Sequence, residues 1–354
     1  MKNINIPDDV IMTIFDECHH YANSDSMYFS NAIKIINAKY QCCLSATLND
    51  KQLKYLYTLG FNYRWQIPLE QCLSLDLVIP YNIYNISVSL TEEEKEKYVK
   101  IQNDYNNNLY YFENYLALNS INTNLASVLA TSLLPNPKIK NKEIKFMGVI
   151  YKTNMDLANS ISKFLNIPAG VLIYNAKMFQ IYRNKRNTLL HNAENKIKLC
   201  DEFLNLENVK NNKVVVFTNT KLNAEKIVKL NKKKRRGYYT GNDNKNILQD
   251  FFDFNFPHLI TIKKVDEGQL DNEVGIGISL SHQSESRRVV QKLGRLIRKD
   301  VNNPNKKAIF LNVYVESFDY YGKKYISQDE KWLKKSLEKM KFITYIQDLN
   351  EIQF

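Results

Sequence analysis

The sequence predicts an α/β fold, a parallel sheet with helices on both faces, and three observations point to it. Apolar runs without alternation, Val10 to Phe15 and Val214 to Phe217, read as strands buried on both sides, and Lys307 to Val313 reads as a further strand. Helical patterns alternate with such runs through the second half of the chain, as a parallel sheet requires. Polar residues follow two early runs directly, Asp16-Glu17 after the first and Ser45-Ala46-Thr47 after Tyr40 to Leu44. Open α/β sheets place their ligands at those strand ends.

Taken in order, residues 1–88 hold both runs and then short alternating helical and extended signals from about 54 to 85, and form a partial first sheet domain. Thr91 caps a helix whose Glu94 stands at the capping-box position. Helical patterns continue as a connector over 89–205, with breaks at Leu133 to Pro137 and at Ile167-Pro168. A second, complete sheet domain occupies 206–354. Its signals are strands at Lys213 to Phe217, Gly237 to Thr240, His258 to Lys263, Val274 to Leu280 and Lys307 to Val313. Helices fall between them and at Asp329 to Met340.

The 354 residues are 44% hydrophobic, 12% aromatic and 24% charged, which fits globular domains and excludes a disordered chain. No apolar run is long enough for a membrane span, and Met1 to Asn5 lacks a basic-then-apolar signal, so a soluble cytoplasmic protein is expected. Five cysteines show neither a C-x-x-C pair nor His/Cys metal spacing; Cys42 and Cys43 lie in an apolar run and read as small hydrophobes. The net charge of +12 favours a polyanionic partner, although abundant Lys, Asn, Ile and Tyr also reflect AT-rich codons.

Three constellations carry chemistry. Asp16-Glu17-Cys18-His19 closes an apolar strand. There one carboxylate can hold Mg²⁺ through its water shell and its neighbour can orient and deprotonate a water; a solvated acidic loop is the plainer alternative. Ser45 and Thr47 close the next strand, where small hydroxyls can hydrogen-bond to the first group. Gln291, Arg295 and Arg298 fall at i, i+4 and i+7, so a helix would aim an amide and two guanidinium groups at one spot, with Gly294 allowing close approach. Two arginines so aimed suit a phosphoryl group carrying developing charge; an ordinary basic face over a core of Leu293, Leu296 and Ile297 is the alternative.

In this order DECH, SAT and QxxGRxxR resemble motifs II, III and VI of the superfamily-two DExH helicases, most closely the XPB-like and phage double-strand translocases. Val214 to Thr218 resembles motif IV, Tyr239-Thr240-Gly241 a motif that touches the nucleic-acid backbone, and Val265 to Gly268 with Asp271 motif V. The resemblance implies a truncated RecA-like domain, a helical connector and a complete second RecA-like domain. It implies ATP and Mg²⁺ as cofactors: Asp16 at the metal, Glu17 activating water, and His19, Ser45 and Thr47 coupling. Asp266, Gly268, Gln291, Arg295 and Arg298 would face the nucleotide, with Arg298 the arginine finger and Arg295 the alternate. Nucleic acid, DNA ahead of RNA, would meet Thr218, Thr240, Gly241, Lys263, Lys234 and Arg235.

One part of such a motor is absent from these residues. The phosphate-binding loop G-x-x-x-x-G-K-[ST] cradles phosphates with backbone amides. Of the ten glycines only Gly322 precedes a lysine, and Lys324 stands where Ser or Thr is needed. The expectation is that a second polypeptide supplies the loop. The alternatives are a non-catalytic nucleic-acid- or partner-binding derivative, or a gene fragment. The basic run Lys232 to Arg236 suits phosphate contacts or a solvated loop equally; the Tyr- and Asn-rich stretch Tyr105 to Tyr115 reads as packing rather than a stacking surface.

Overall fold

A computed structural model describes residues 10–20, 22, 38–45, 48–134, 143–146, 148–230, 235–240, 245–262, 272–282, 286–338 and 340–354. Strand β1 (Met12–Phe15) pairs in parallel with β2 (Tyr40–Cys43), with Met12 opposite Tyr40 and Phe15 opposite Cys43. Helix α1 (Asp50–Thr58) follows, begun by a capping box between Asn49 and Gln52, and then α2 (Leu69–Ser74). A small core of Cys18, Ala22 and Leu56, flanked by Phe15 and Cys43, lies against this pair. The expectation of a strand buried on both faces is corrected here: Met12 is 52% and Ile14 56% exposed. Side chains alternate across a strand, and among the described residues that cluster covers only the Phe15 face.

The chain continues through β3 (Tyr81–Val88), α3 (Glu92–Leu118) and α4 (Ala126–Ser132). A hairpin of β4 (Ile144–Phe146) and β5 (Val149–Tyr151) precedes α5 (Asn154–Leu165), α6 (Ala169–His191) and α7 (Glu194–Asn205). Next come β6 (Val214–Thr218), α8 (Lys221–Leu230), β7 (Arg236–Tyr239), α9 (Lys245–Phe252), β8 (His258–Ile262) and β9 (Ile276–Ser279). Helix α10 (Ser286–Leu296), β10 (Ala308–Val315), the hairpin β11 (Phe318–Tyr320)–β12 (Lys323–Tyr325), α11 (Gln328–Leu337) and β13 (Ile343–Ile346) complete it.

Seven of these strands form one sheet in the order β13-β3-β10-β9-β6-β8-β7, and every neighbouring pair is parallel. Alternation along the strands divides its residues between two cores. Val214, Val216, Ile309, Leu311 and Val313 pack on one face with Ile197, Phe203 and Ile227 from α7 and α8. Val215, Phe217 and Phe310 pack on the other with Phe251, Leu293 and Leu333 from α9, α10 and α11. The α/β class with helices on both faces is therefore observed.

The expected domain limits differ from this sheet. Strand β3, placed with the first domain by a limit at 88, pairs with β10 from Ala308–Tyr81 to Val315–Val88 and lies inside the large sheet. Its two asparagines hid it from hydropathy, and the structure shows why one is tolerated: buried Asn85 accepts a hydrogen bond from Asn312 Nδ2 at 2.9 Å on the neighbouring strand. Helix α7, placed in the connector, contributes to the sheet core instead. Helices α3 to α6 have their own core, including Phe112, Leu129, Leu157 and Phe179. Tyr105 packs there, its ring 5.0 Å from Phe179 and 4.4 Å from the Arg186 guanidinium, which agrees with packing rather than stacking. Among the described residues no helix is long and apolar enough to cross a membrane.

Candidate active site

At the end of β1 the chain turns sharply, and Glu17 takes a left-handed backbone (φ 48°) that a side-chain-bearing residue adopts at some strain. The Asp16 carboxylate accepts the Glu17 N–H at 2.8 Å and remains exposed. A short 3₁₀ turn, Cys18–His20, then buries His19. Its Nδ1 lies 2.8 Å from Glu17 Oε2 and 2.9 Å from Ser45 Oγ, and its carbonyl accepts from Gln52 Nε2 at 2.8 Å. The turn is held to β2 by Cys18 N–H donating to the Leu44 carbonyl at 2.9 Å. The structure thus gathers Glu17, His19 and Ser45, with Asp16 adjacent. Thr47 lies outside the described residues.

The second group sits on α10. Leu293, Leu296 and Ile297 are buried, leaving Gln291 and Arg295 on the less buried side, as the spacing predicts. Arg298 departs from the expectation of one helical face. Helix α10 ends at Leu296, because the next carbonyls serve other partners: Ile297 C=O accepts from Ile79 N–H at 3.0 Å and Arg298 C=O from Lys306 Nζ at 3.1 Å. An i, i+4, i+7 argument holds only while the helix continues. A Cβ at Gly294 would meet nothing within 4 Å, so no described protein group approaches it.

Sequence reasoning passed over Lys292, which points inward from the same helix. Its ammonium donates to Ser279 Oγ at 2.7 Å and Ser281 C=O at 3.1 Å. Burial, with the nearby charges of Arg288 and Lys196, pushes its pKa down to about 7. Behind it lies a buried ion pair, Lys196 Nζ to Asp329 Oδ2 at 2.5 Å, which also reaches the Leu280 carbonyl and the Val315 N–H, each at 2.9 Å. Burial holds the Lys196 ammonium below the ordinary lysine range, against the opposing pull of Asp329. His282 bonds the Val313 carbonyl at 2.9 Å and is held well below the ordinary histidine value by burial. These contacts fix the Ser279–His282 segment that leads into α10. Their partners come from α7, β10 and α11, far apart in sequence, so no local spacing announces them.

The expected nucleic-acid residues divide between two sheet edges. Thr218 ends β6, and Thr240 follows β7, both at the C-terminal edge. Thr218 is buried and its Oγ1 has no hydrogen-bond partner among the described residues. Arg235 precedes β7, at the opposite edge, and donates to the Lys210 carbonyl and to Asn211 Oδ1. It is not brought together with Thr240, because an extended strand separates them. Lys234, Gly241, Lys263, Asp266 and Gly268 lie outside the described residues.

The guanidinium-bearing helix α10 thus stands beside a parallel sheet whose strands β6 and β9 end in the hydroxyl residues Thr218 and Ser279. Residues 169–353, more than half of the chain, match the family of ERCC3/RAD25/XPB C-terminal helicases, and the chain belongs to that family. Strand β3 lies outside the matched span although it completes the same sheet. Among solved structures, the Pyrococcus furiosus Hef helicase domain is 17% identical, over 92% of this chain and 73% of that one, with a TM-score of 0.46. S. cerevisiae Dbp5 bound to RNA and ADP BeF3 is 10% identical, over 95% of this chain and 59% of that one, with a TM-score of 0.46. No curated protein matches the chain in sequence.

Proposed function

We propose that this chain is part of an ATP-driven nucleic-acid helicase or translocase whose phosphate-binding loop comes from a separate polypeptide. The observation that carries this reading is the Glu17–His19–Ser45 cluster at the end of a parallel strand, in a chain of helicase family. His19 fixes the Glu17 carboxylate and Ser45 fixes His19, so Glu17 is oriented to accept a proton from an attacking water. Asp16 is exposed beside it with a carboxylate suited to Mg²⁺ held through water. When bound, Mg²⁺-ATP supplies the phosphoryl group and the neutralising metal charge. On the other wall Gln291 and Arg295, carried by α10, and Arg298 just beyond it would meet the developing charge. The break after Leu296 favours Arg295 over Arg298 as the residue aimed by the helix. Thr218 and Thr240, at one sheet edge, are the described residues proposed to meet the nucleic-acid backbone, with DNA ahead of RNA.

A second reading, a non-catalytic binding protein, is favoured by the +12 charge. One experiment separates the two. The chain is co-expressed with a polypeptide that carries a phosphate loop, and nucleic-acid-stimulated ATPase is measured. The motor reading expects activity that Glu17→Gln lowers by a factor of roughly 10² or more with nucleic-acid affinity intact. ATP-insensitive binding without ATPase, or full activity in Glu17→Gln, contradicts it.

A further inference from the structure

We propose that Lys292 is a positioning residue that pins α10 to the end of β9, so that Gln291 and Arg295 keep a fixed direction beside the sheet. The catalytic consequence rests on the motor reading; the mechanical one does not. The Lys292 ammonium donates to Ser279 Oγ at 2.7 Å and to the Ser281 carbonyl at 3.1 Å, and stands 5.5 Å from the Phe217 ring centroid. Both serines are buried; Ser279 closes β9 and Ser281 lies in the segment that leads into α10. Gln291 directly precedes Lys292, and Arg295 follows it by three residues, the spacing of neighbours on a helix surface. A rotation or slide of α10 that breaks the two Lys292 bonds therefore re-aims both side chains.

Stability alone does not account for an ammonium at this position. Ser279 Oγ also donates to the Ser281 carbonyl at 3.1 Å, so the two serines remain bonded without the lysine. The acceptors of Lys292 are a hydroxyl and a carbonyl, and among the described residues no carboxylate forms an ion pair with it. Burial, with the charges of Arg288 and Lys196, acts against its protonated form. A charge so placed is costly, and an apolar side chain of similar volume often serves packing as well or better.

What an apolar side chain cannot supply is direction. Leu293 and Leu296 pack α10 into the sheet core, but apolar contact is non-directional. Two hydrogen bonds to fixed acceptors constrain both distance and angle. The far end of α10 is tied separately, through the Ile297 and Arg298 carbonyls. Lys292 thus acts on the turn that carries Gln291 and Arg295.

The test compares Lys292→Met, which removes the donors at similar length, with Lys292→Arg, which keeps charge and donors. In the isolated chain Lys292→Met should leave the thermal midpoint unchanged or raised. Its α10 amides should exchange at least about tenfold faster, while those of β6 and β10 keep their rates. In a complex with nucleic-acid-stimulated ATPase, Lys292→Met should lower kcat by roughly 10- to 100-fold, with KM for ATP within about threefold of the parent. Lys292→Arg should recover most of kcat. A lowered midpoint with faster exchange throughout the sheet, unchanged exchange in α10, or unchanged kcat in Lys292→Met overturns the proposal. Failure of every such complex to hydrolyse ATP counts against the motor reading alone, and exchange in the isolated chain still decides the role of Lys292.

Discussion

The two parallel sheets of this molecule solve the same problem with unequal support. In the seven-stranded sheet, β6 and β10 are buried at every residue, and helices close both faces. In the β1–β2 pair, Met12, Ile14 and Tyr40 are more than half exposed, and among the described residues the cluster beneath it holds buried Cys18, Ala22 and Leu56. Each sheet nevertheless places polar residues at the ends of its strands. The proposed arginine wall is therefore held by a core of its own, whereas among the described residues the acidic wall is held by the contacts around His19 and the small cluster beside it.

The comparison can be broken at several points. The largest effect is expected from Lys196→Met, which strands the Asp329 carboxylate in the core; breaking a buried pair costs about 3–5 kcal/mol, read from the denaturant midpoint. Pairing it with Asp329→Leu should recover most of the loss. Leu311→Ala opens a cavity in β10 and should cost about 2–5 kcal/mol.

A smaller effect comes from acid. Burial, with Arg236 nearby, lowers the His258 pKa to about 3, so the unfolded chain takes up its proton first as pH falls below about 6.5. Stability is full above that value and declines toward pH 3, by about 2–3 kcal/mol at pH 4.5. His258→Gln should flatten this decline in thermal melts across the pH range. The smallest effect is expected from Ile14→Ala on the exposed face of β1, within about 0.5 kcal/mol of the parent. A loss there as large as that of Leu311→Ala would show the two sheets to be equally supported.

The sequence was legible where one physical signal acted alone. Val214 to Phe217 and Ala308 to Leu311 are apolar without interruption, and β6 and β10 follow from that; the acidic turn and Ser45 were legible because they close such runs. Legibility failed where a tertiary contact outweighed the local pattern. Strand β3 contains Asn82 and Asn85, and the bond between Asn85 and Asn312 exists only once β10 is beside it. The end of α10 was extended to Arg298 because spacing carries no sign of the Ile79 and Lys306 donors that stop it. Lys292 and the Lys196–Asp329 pair were missed for the same reason: nothing near a charged residue says that its partner waits on another element.

Native-state hydrogen exchange tests the unequal support of the two walls most directly. In the isolated chain, amides of β6 and β10 should exchange only through global unfolding, and those of β1 and β2 through local opening at least on the order of a hundredfold faster. Matching protection in both sheets, under conditions where the chain is folded, would contradict the account.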